Sequence, residues 1–490
     1  MDLEESPTVN LAQVAAECSY INDYCQSKHG SVVTCHWTVE KGRILRSEHA
    51  FEPGEIIFRE PPLHLVAEER SRALYKRVED LAKQRPKEFV FDPLWYWASL
   101  SSLTPELLQE GSQLTPVKED TRKKLLLLYS MEVCEASEAA EILVEELASE
   151  LRCEPIDLER LLQVWILNCF EHSDDPIGYS TYFMSSFMSH SCWPNAVWHY
   201  DKDDFILRAR ERIQAGDEIT VSYLSEDSLM ESTTSRRQHL QDSKHFICHC
   251  ERCVSPVDPS RGFRCPSCSS SSLTLGAAKG DQVDVSAKAM CGRRCEHCQH
   301  PLDFGQAAVL QAEETLLKNR VEQTEKDLEE QGLASPAKEL QQKLEKTVRR
   351  SEKTLAQHWL LDKSYQILSD LAERLRQPED AERFLRKRMD YQAKSYPGLS
   401  GSAAWSYEAY GDMLLRHARC DVEPTVSVPR KEAALQVYRR VPAVYDLCLA
   451  SLRTMFGEEH EFYQAVQQKA NALKTELERW MGPMSSWPQE

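Results

Sequence analysis

Cysteine carries the most specific chemical signal in this sequence. The segment CHCERC places Cys248, Cys250 and Cys253 in a C-x-C-x2-C pattern. Thiolates at this spacing can share one metal ion, and tetrahedral zinc then needs a fourth ligand. Cys192, in the earlier segment HSCWPN, is a candidate for that fourth ligand. The alternative is a group of buried thiols that bind no metal.

A second group of cysteines has the two-knuckle arrangement of a zinc ribbon. It comprises the pairs CPSC and CEHC, which 26 residues separate. Its four members are Cys265, Cys268, Cys295 and Cys298. Cys291 and His297 lie close enough in the sequence to be alternative ligands. Because four thiolates leave no open coordination position, we expect both groups to hold structural rather than catalytic zinc.

Composition narrows the class of protein. The chain has 490 residues, of which 41% are hydrophobic, and a formal net charge of −19. A chain of this length exceeds what one hydrophobic core usually organises, so we expect roughly two to four structural modules. The acidic charge disfavours direct nucleic-acid binding and favours a basic protein or peptide as the partner.

The sequence also bears on the cellular compartment. Its first ten residues, MDLEESPTVN, are acidic, and its longest aliphatic run, LLLLY, is far too short to cross a bilayer. We therefore expect no membrane association, and a cytoplasmic or nuclear rather than a secreted protein. In those reducing compartments clustered cysteines more often bind metal than form disulfides. Nothing in the sequence indicates an oligomeric state.

The spacing of apolar residues changes along the chain. The segment GRILRSEHAFEPGEIIFREPPL predicts two strands around a turn at Pro53 and Gly54, within a β-rich stretch that covers residues 1 to 65. Leucines then follow helical spacing to about residue 167, and strands return around a charged turn from Asp201 to Asp204. After about Phe304 the pattern is helical again. This succession predicts an α+β protein.

Three segments resemble the motifs of one family in the same order. KGRILRS, SHSCWPN and GDEITVSYL followed by CHCERC are similar to the motifs of SET-domain protein-lysine methyltransferases. With its helical insertion, ribbon-like cysteines and helical tail, the chain most resembles the subgroup with SET and MYND domains. No cysteine lies between Cys35 and Cys134, so we expect the MYND zinc finger to be missing. In this the chain is similar in arrangement to the apical complex lysine methyltransferases of apicomplexan parasites.

The resemblance implies that this α+β chain has five parts. They are the N-terminal part of a β-rich SET domain with a pseudoknot (1–67), a helical insertion in place of the MYND finger (68–167), the C-terminal part of the SET domain (168–240), a post-SET and zinc-ribbon-like region (241–304) and an all-α tetratricopeptide-like domain (305–490).

The resemblance further implies an activity and a set of site residues. The activity is S-adenosylmethionine-dependent N-methylation of lysine side chains in histone or non-histone proteins, supported by two structural Zn²⁺ sites. Tyr223 is the expected catalytic residue, and Cys192 is the expected fourth zinc ligand. Phe170 and Lys244 are expected to line the substrate channel. The expected cofactor-binding residues are Lys41, Arg43, Asn168, Ser189, His190, Tyr223 and Phe246.

The sequence departs from the family pattern at three positions. Ile44 stands where the cofactor loop usually has a second glycine, Ser189 replaces an asparagine, and Lys244 replaces a channel tyrosine. A β-branched residue is strained at positive φ, so the loop around Ile44 must close differently. The rival interpretation is a zinc-stabilised protein-interaction scaffold with a degenerate SET domain.

Overall fold

The computed structural model describes residues 10–271, 273–276, 286–331, 336–396, 398–420 and 428–481. Strands and helices both contribute to the core, which confirms the α+β class. The chain divides into two compact units. The first unit comprises Met1–Ser189 and Asn195–Val221, and the second comprises His190–Pro194 and Ser222–Glu490.

Small antiparallel sheets organise the first unit. In sheet order they are β1-β2, β3-β9-β8 and β4-β6-β5, and the boundary between the two units falls within β7. The strands described up to residue 221 are β1 (Val33–Thr38), β2 (Gly42–Ser47), β3 (Ile56–Glu60), β4 (His64–Ala67), β5 (Phe170–Asp174), β6 (Ile177–Thr181), β7 (Ser189–His190), β8 (Ala196–Asp201), β9 (Asp204–Ala209) and β10 (Thr220–Val221).

The turns between these strands explain their registers. Gly42 adopts φ 71° where β1 turns into β2, and Gly54 adopts φ 90° before β3 begins. Asp201 and Asp204 are the last paired residues of the β8–β9 hairpin. The strands predicted on either side of Pro53-Gly54 and of the charged turn are therefore confirmed.

The N-terminal segment is helical, although the sequence analysis placed it in a β-rich stretch. Helix α1 (Leu11–His29) begins after Asn10, whose side chain accepts a hydrogen bond from the backbone N–H of Gln13. Gly30 ends the helix in the left-handed conformation. The expectation failed because it weighed the strands that follow and overlooked this pair of start and stop residues.

Five helices fill the segment predicted as a helical insertion. α3 packs on α6, and each of these helices carries a completely buried tryptophan, Trp97 on α3 and Trp165 on α6. The Trp165 indole N–H donates a 2.9 Å hydrogen bond to the Ser102 hydroxyl, which satisfies a buried polar group. The helices are α2 (Ala73–Gln84), α3 (Pro93–Leu100), α4 (Glu119–Leu127), α5 (Glu138–Glu146) and α6 (Pro155–Asn168).

Helices dominate the second unit, and in its C-terminal part consecutive helices from α12 onward pack against one another. The C-terminal helical region is thus present as predicted. The elements described after residue 221 are α7 (Thr233–Lys244), α8 (Glu251–Val254), β11 (Arg261–Phe263), β12 (Leu273–Thr274), α9 (Ala287–Met290), α10 (Phe304–Gln331), α11 (Ala337–Ser351), β13 (Leu355–His358), α12 (Trp359–Arg374), α13 (Pro378–Ser395), α14 (Gly401–Cys420), α15 (Val428–Phe456) and α16 (Glu461–Met481).

A small sheet joins the cysteine-rich segment to the C-terminal helices. Its strand order is β12-β11-β13, so the C-terminal region contributes one strand in addition to its helices. Arg261 on β11 is buried and forms a 2.7 Å ion pair with Glu314 on α10. None of the described helices is long and apolar enough to cross a membrane.

Candidate active site and cysteine groups

The first cysteine group consists of Cys192, Cys248, Cys250 and Cys253. Their sulfur atoms all lie within 4.8 Å of one another, and the Cys192 and Cys253 sulfurs are 3.4 Å apart. Four sulfurs around a tetrahedral zinc ion would be about 3.8 Å apart, given Zn–S bonds of about 2.3 Å. Three of the four cysteines are buried and Cys250 is partly buried. This donor set could therefore hold zinc.

The second cysteine group comprises Cys265, Cys268, Cys295 and Cys298. Its sulfurs also lie within 4.8 Å of one another. The two CxxC segments form the same turn, since the N–H of Ser269 donates to the Cys265 carbonyl and that of Gln299 to the Cys295 carbonyl, both at 2.8 Å. This group could hold a second zinc ion. The alternative candidates Cys291 and His297 are exposed and lie outside both groups.

Two buried arginines accompany the first cysteine group. Arg236 is completely buried, and its guanidinium lies 3.7 Å from the Cys253 sulfur. Arg252 donates to the carbonyl of Cys192 at 3.2 Å. A zinc ion with four thiolates would carry a net charge of −2, which two neighbouring guanidinium groups would compensate in a buried environment. The sequence analysis did not find these arginines, because Arg236 lies in a helix that is otherwise polar.

The His190 imidazole links the first cysteine group to Tyr223. Its Nδ1 accepts a 3.0 Å hydrogen bond from the backbone N–H of Tyr223, so a neutral ring carries its proton on Nε2. Nε2 lies 3.3 Å from the Cys192 sulfur, where that N–H can donate to a thiolate. His190 thus couples a candidate metal ligand to the backbone of the expected catalytic residue. The sequence analysis assigned it a cofactor contact alone.

Three aromatic rings form one group around Tyr223. The ring of His190 lies 5.3 Å from that of Tyr223 and 6.0 Å from that of Phe246, and the Tyr223 and Phe246 rings are 6.3 Å apart at an interplanar angle of 87°. His190 is buried, whereas 43% of Tyr223 remains exposed. The arrangement holds the tyrosine ring on one side and leaves it accessible on the other.

Glu218 brings together two of the predicted cofactor residues in the first unit. The Lys41 ammonium lies 2.8 Å from both Glu218 carboxylate oxygens, and the Ser189 hydroxyl donates to the same carboxylate. The backbone carbonyl of Glu218 also accepts a 2.8 Å hydrogen bond from the Asn195 side chain. The sequence analysis missed Glu218, although this residue lies within the segment GDEITVSYL, which had already been singled out as a family motif.

The remaining predicted residues of the first unit have partners of their own. Arg43 forms a 3.1 Å ion pair with Glu17. The Asn168 amide donates to the backbone carbonyls of Tyr129 and Val164, at 2.7 and 2.8 Å. These contacts do not bring Arg43 or Asn168 to Glu218.

The structure also shows the surroundings of three further residues that the sequence analysis discussed: Phe170, Lys244 and Ile44. The Phe170 ring packs edge-on against Tyr182, Trp198 and Phe205, at centroid distances of 5.7, 5.4 and 5.4 Å. Lys244 is the half-buried last residue of α7. Ile44 is buried in β2, and the positive φ of this hairpin falls on Gly42 instead. The β-branched side chain therefore causes no backbone strain.

A buried carboxyl group supports the segment that leads into SHSCWPN. Glu60 is completely buried at the end of β3, and its carboxyl accepts hydrogen bonds from the N–H groups of Met184 and Ser185, at 2.8 and 3.1 Å. Burial raises the pKa of Glu60 from 4.5 to about 7, although these hydrogen bonds oppose the change. Glu60 therefore keeps its proton in the folded protein well above the pH at which the unfolded chain loses it.

This pKa predicts a pH-dependent stability. Between about pH 4.5 and pH 7 the folded protein binds more protons than the unfolded chain, so the free energy of unfolding should fall as pH rises. Glu60→Gln should remove this contribution, which is on the order of 3 kcal/mol across that interval. Denaturant unfolding at a series of pH values checks it, with exposed Glu132→Gln as the control. Equal pH dependence in the wild type and Glu60→Gln would contradict the assignment.

The comparisons with known proteins agree with these motifs. The sequence model of the SET domain family matches residues 42–224. Over 97 residues the chain is 37% identical to the SET domain-containing protein SmydA-8, isoform B, of Drosophila melanogaster, which covers 19% of this chain and 21% of that protein. Over 77 residues it is 40% identical to the histone-lysine N-methyltransferase SMYD3 of Mus musculus, covering 16% of this chain and 17% of that protein.

The chain thus contains a SET domain, related to those of the SET-and-MYND (SMYD) proteins. The matched part spans about a fifth of the length of these relatives. Among solved structures, the SET domain of LSMT bound to lysine and AdoHcy aligns over 79% of this chain and 95% of that one, with 12% identity and a TM-score of 0.28.

Proposed function

We propose that this protein is an S-adenosylmethionine-dependent protein-lysine N-methyltransferase that acts on histone or non-histone proteins. The observation that carries the proposal is the setting of Tyr223. A tyrosine that is 43% exposed stands beside His190 and Phe246, at the end of a segment that belongs to the SET family match. The acidic charge of the chain suits a basic protein substrate.

The residues of this site can be given chemical roles. S-adenosylmethionine, when bound, supplies a methyl group on a positively charged sulfur. The substrate lysine must be neutral to accept it, and deprotonating an ordinary lysine at neutral pH costs roughly 4 kcal/mol. A site that removes the ammonium group from water lowers this cost, because burial disfavours the charged form. The Tyr223 hydroxyl would orient the neutral amine, so that alignment provides most of the catalysis.

Phe246, in the second unit, is the proposed contact for the adenine. Its ring is half-buried next to His190, which leaves part of its surface available for stacking. Lys41, Arg43, Asn168 and Ser189 stay proposed cofactor contacts by family resemblance. The Lys41 ammonium and the Ser189 hydroxyl would have to share or leave the Glu218 carboxylate to reach a cofactor.

The contacts that Lys41 and Ser189 make with Glu218 are also compatible with the rival function, that of an interaction scaffold. If Glu218 keeps both side chains, cofactor binding is weak, and the protein serves as a zinc-stabilised interaction scaffold through its helical region. Two cysteine groups that could hold zinc suit a scaffold equally well. A binding measurement separates the two functions, because the scaffold needs no S-adenosylmethionine.

Calorimetric titration of the zinc-loaded protein with S-adenosylmethionine provides this test. We expect saturable binding at one site and, in Phe246→Ala, an affinity that is lower by roughly tenfold through the loss of stacking area. Phe304→Ala is the matched control, since Phe304 is an exposed aromatic residue at the start of α10. The absence of saturable binding to folded protein would contradict the enzyme and support the scaffold.

A further inference from the structure

The segment that follows Tyr223 is held by the C-terminal helices. The Ser222 hydroxyl accepts a 3.0 Å hydrogen bond from the Leu224 N–H and donates to the Leu224 carbonyl at 2.7 Å, which closes a tight turn around Tyr223. The chain then continues as Glu226 and Asp227. Since only three residues separate Tyr223 from Asp227, a contact that fixes Asp227 also restricts the turn.

Asp227 is fixed by Arg388 on α13 and Ser402 on α14, which lie 161 and 175 positions further along the chain. The guanidinium of Arg388 on α13 lies 3.1 Å from the Asp227 carboxylate, and the Ser402 hydroxyl on α14 donates to the same oxygen at 2.6 Å. The Arg388 side chain is only 10% exposed. The Asp227 side chain is 63% exposed, so solvent screens part of this charge-assisted hydrogen bond, while burial of the guanidinium limits the positions that Arg388 can adopt.

Glu226 contacts the beginning of α14. Its carboxylate accepts a 2.8 Å hydrogen bond from the Gly401 N–H, a donor that has no partner within the helix. A Cβ atom at Gly401 would lie 2.8 Å from Glu226 Cγ and 2.6 Å from the Trp405 ring, so a larger residue there would force one of these side chains to move. Two carboxylates next to a helix N-terminus also interact favourably with the helix dipole.

A third contact comes from the same face of α13. The buried Tyr391 hydroxyl donates a 2.6 Å hydrogen bond to the Met230 carbonyl. Arg388 and Tyr391 are three residues apart, and therefore lie on one face of the helix. The two helices thus hold the segment at Glu226, Asp227 and Met230.

We infer that Arg388 is a positioning residue for methyl transfer: through Asp227 it fixes the turn that presents Tyr223. This inference rests on the proposed function. It assigns the C-terminal helical region a part in the reaction, in addition to any role in substrate binding. The sequence did not reveal this role, because Arg388 lies in a charged helix, FLRKRMDYQ, whose residues would ordinarily be assigned to solvent.

Two variants separate positioning from folding. Arg388→Met removes the guanidinium, but it also leaves the nearby buried Asp362 carboxyl, 3.7 Å away, without a countercharge. Asp227→Asn weakens the same contact from its exposed side and leaves Asp362 alone. Arg386→Met is the matched control, since Arg386 lies on the same helix and pairs with Glu382. Arg388→Lys keeps the positive charge, so it should retain part of the activity and part of the protection from hydrogen exchange that Arg388→Met loses.

Hydrogen exchange and methyl transfer are measured on the same zinc-loaded proteins. We expect backbone amides of residues 223–230 to exchange faster in Arg388→Met and Asp227→Asn, and not in Arg386→Met. With tritiated S-adenosylmethionine and core histones or lysate proteins as acceptors, kcat should fall roughly tenfold or more, because catalysis is sensitive to small misplacements. The KM for S-adenosylmethionine should stay within about twofold, since the change affects alignment rather than ground-state binding.

The outcomes distinguish the inference from the proposed function. Unchanged exchange over residues 223–230 in both folded variants would overturn the positioning role, whatever the activity. Faster exchange with an unchanged kcat would overturn it as well. A folded wild-type protein that labels no acceptor would overturn the proposed function instead, and the positioning role would fall with it even if the exchange data show an anchored turn.

Discussion

Tyr223→Phe is expected to lower the rate of methyl transfer by roughly 10²-fold or more, while the protein remains folded. The change removes one hydroxyl group from a ring that is 43% exposed, and so creates no cavity in the core. The backbone N–H of Tyr223 still donates to His190, and the phenylalanine ring still packs against His190 and Phe246. The loss would therefore report on the hydroxyl group itself.

This prediction is checked by single-turnover transfer from tritiated S-adenosylmethionine, together with calorimetric binding of the same compound. Binding should be nearly unchanged, because the hydroxyl acts on the incoming amine. Tyr129→Phe is the matched control, since Tyr129 is another exposed tyrosine and lies outside the aromatic group. An unchanged rate in Tyr223→Phe would remove this residue from the mechanism.

Local chemistry explains which parts of the fold could be predicted. The Asp201 to Asp204 turn and the Pro53-Gly54 turn are short signals whose partners are adjacent in the sequence, and the structure has strands on both sides of each. The cysteines of CHCERC, and those of CPSC and CEHC, have spacings that permit a shared metal ion. The structure places the four sulfurs of each cysteine group together. Helix α1 was missed because its polar cap at Asn10 received less weight than the strands after it.

The parts of the site that could not be predicted from the sequence depend on contacts between segments that are distant in the chain. Glu218 lies 177 positions from Lys41, and Arg388 lies 161 positions from Asp227. Such pairs leave no periodic pattern in either segment, so no local rule finds them. The role of the buried Arg236 could not be predicted for the same reason, since it follows only from the proximity of its guanidinium to the Cys253 sulfur in the folded protein. Glu218, Arg388 and Arg236 each act through a contact with another residue. The family motifs were read only for residues that would themselves bind the cofactor, the substrate or the metal, so these three were not included.

Cys192→Ser is expected to lower both the metal content and the stability of the protein. The first cysteine group would lose one of its four sulfurs, and a structural zinc site contributes on the order of 10 kcal/mol to folding. We expect zinc to fall from two ions per chain to one, and the second unit to unfold at a lower temperature. Elemental analysis and calorimetric unfolding measure these changes. Cys291→Ser is the control, because Cys291 is an exposed cysteine outside both groups.

The same variant should also weaken binding of S-adenosylmethionine, through His190. That ring lies between the Cys192 sulfur and the Tyr223 backbone, at 3.3 and 3.0 Å, so loss of the metal site would release the aromatic group that includes Phe246. Cys268→Ser, in the second cysteine group, should likewise lose one zinc ion but keep the affinity for S-adenosylmethionine. Equal loss of affinity in both variants would mean that zinc acts only through global stability. Retention of two zinc ions in Cys192→Ser would mean that the fourth ligand lies elsewhere.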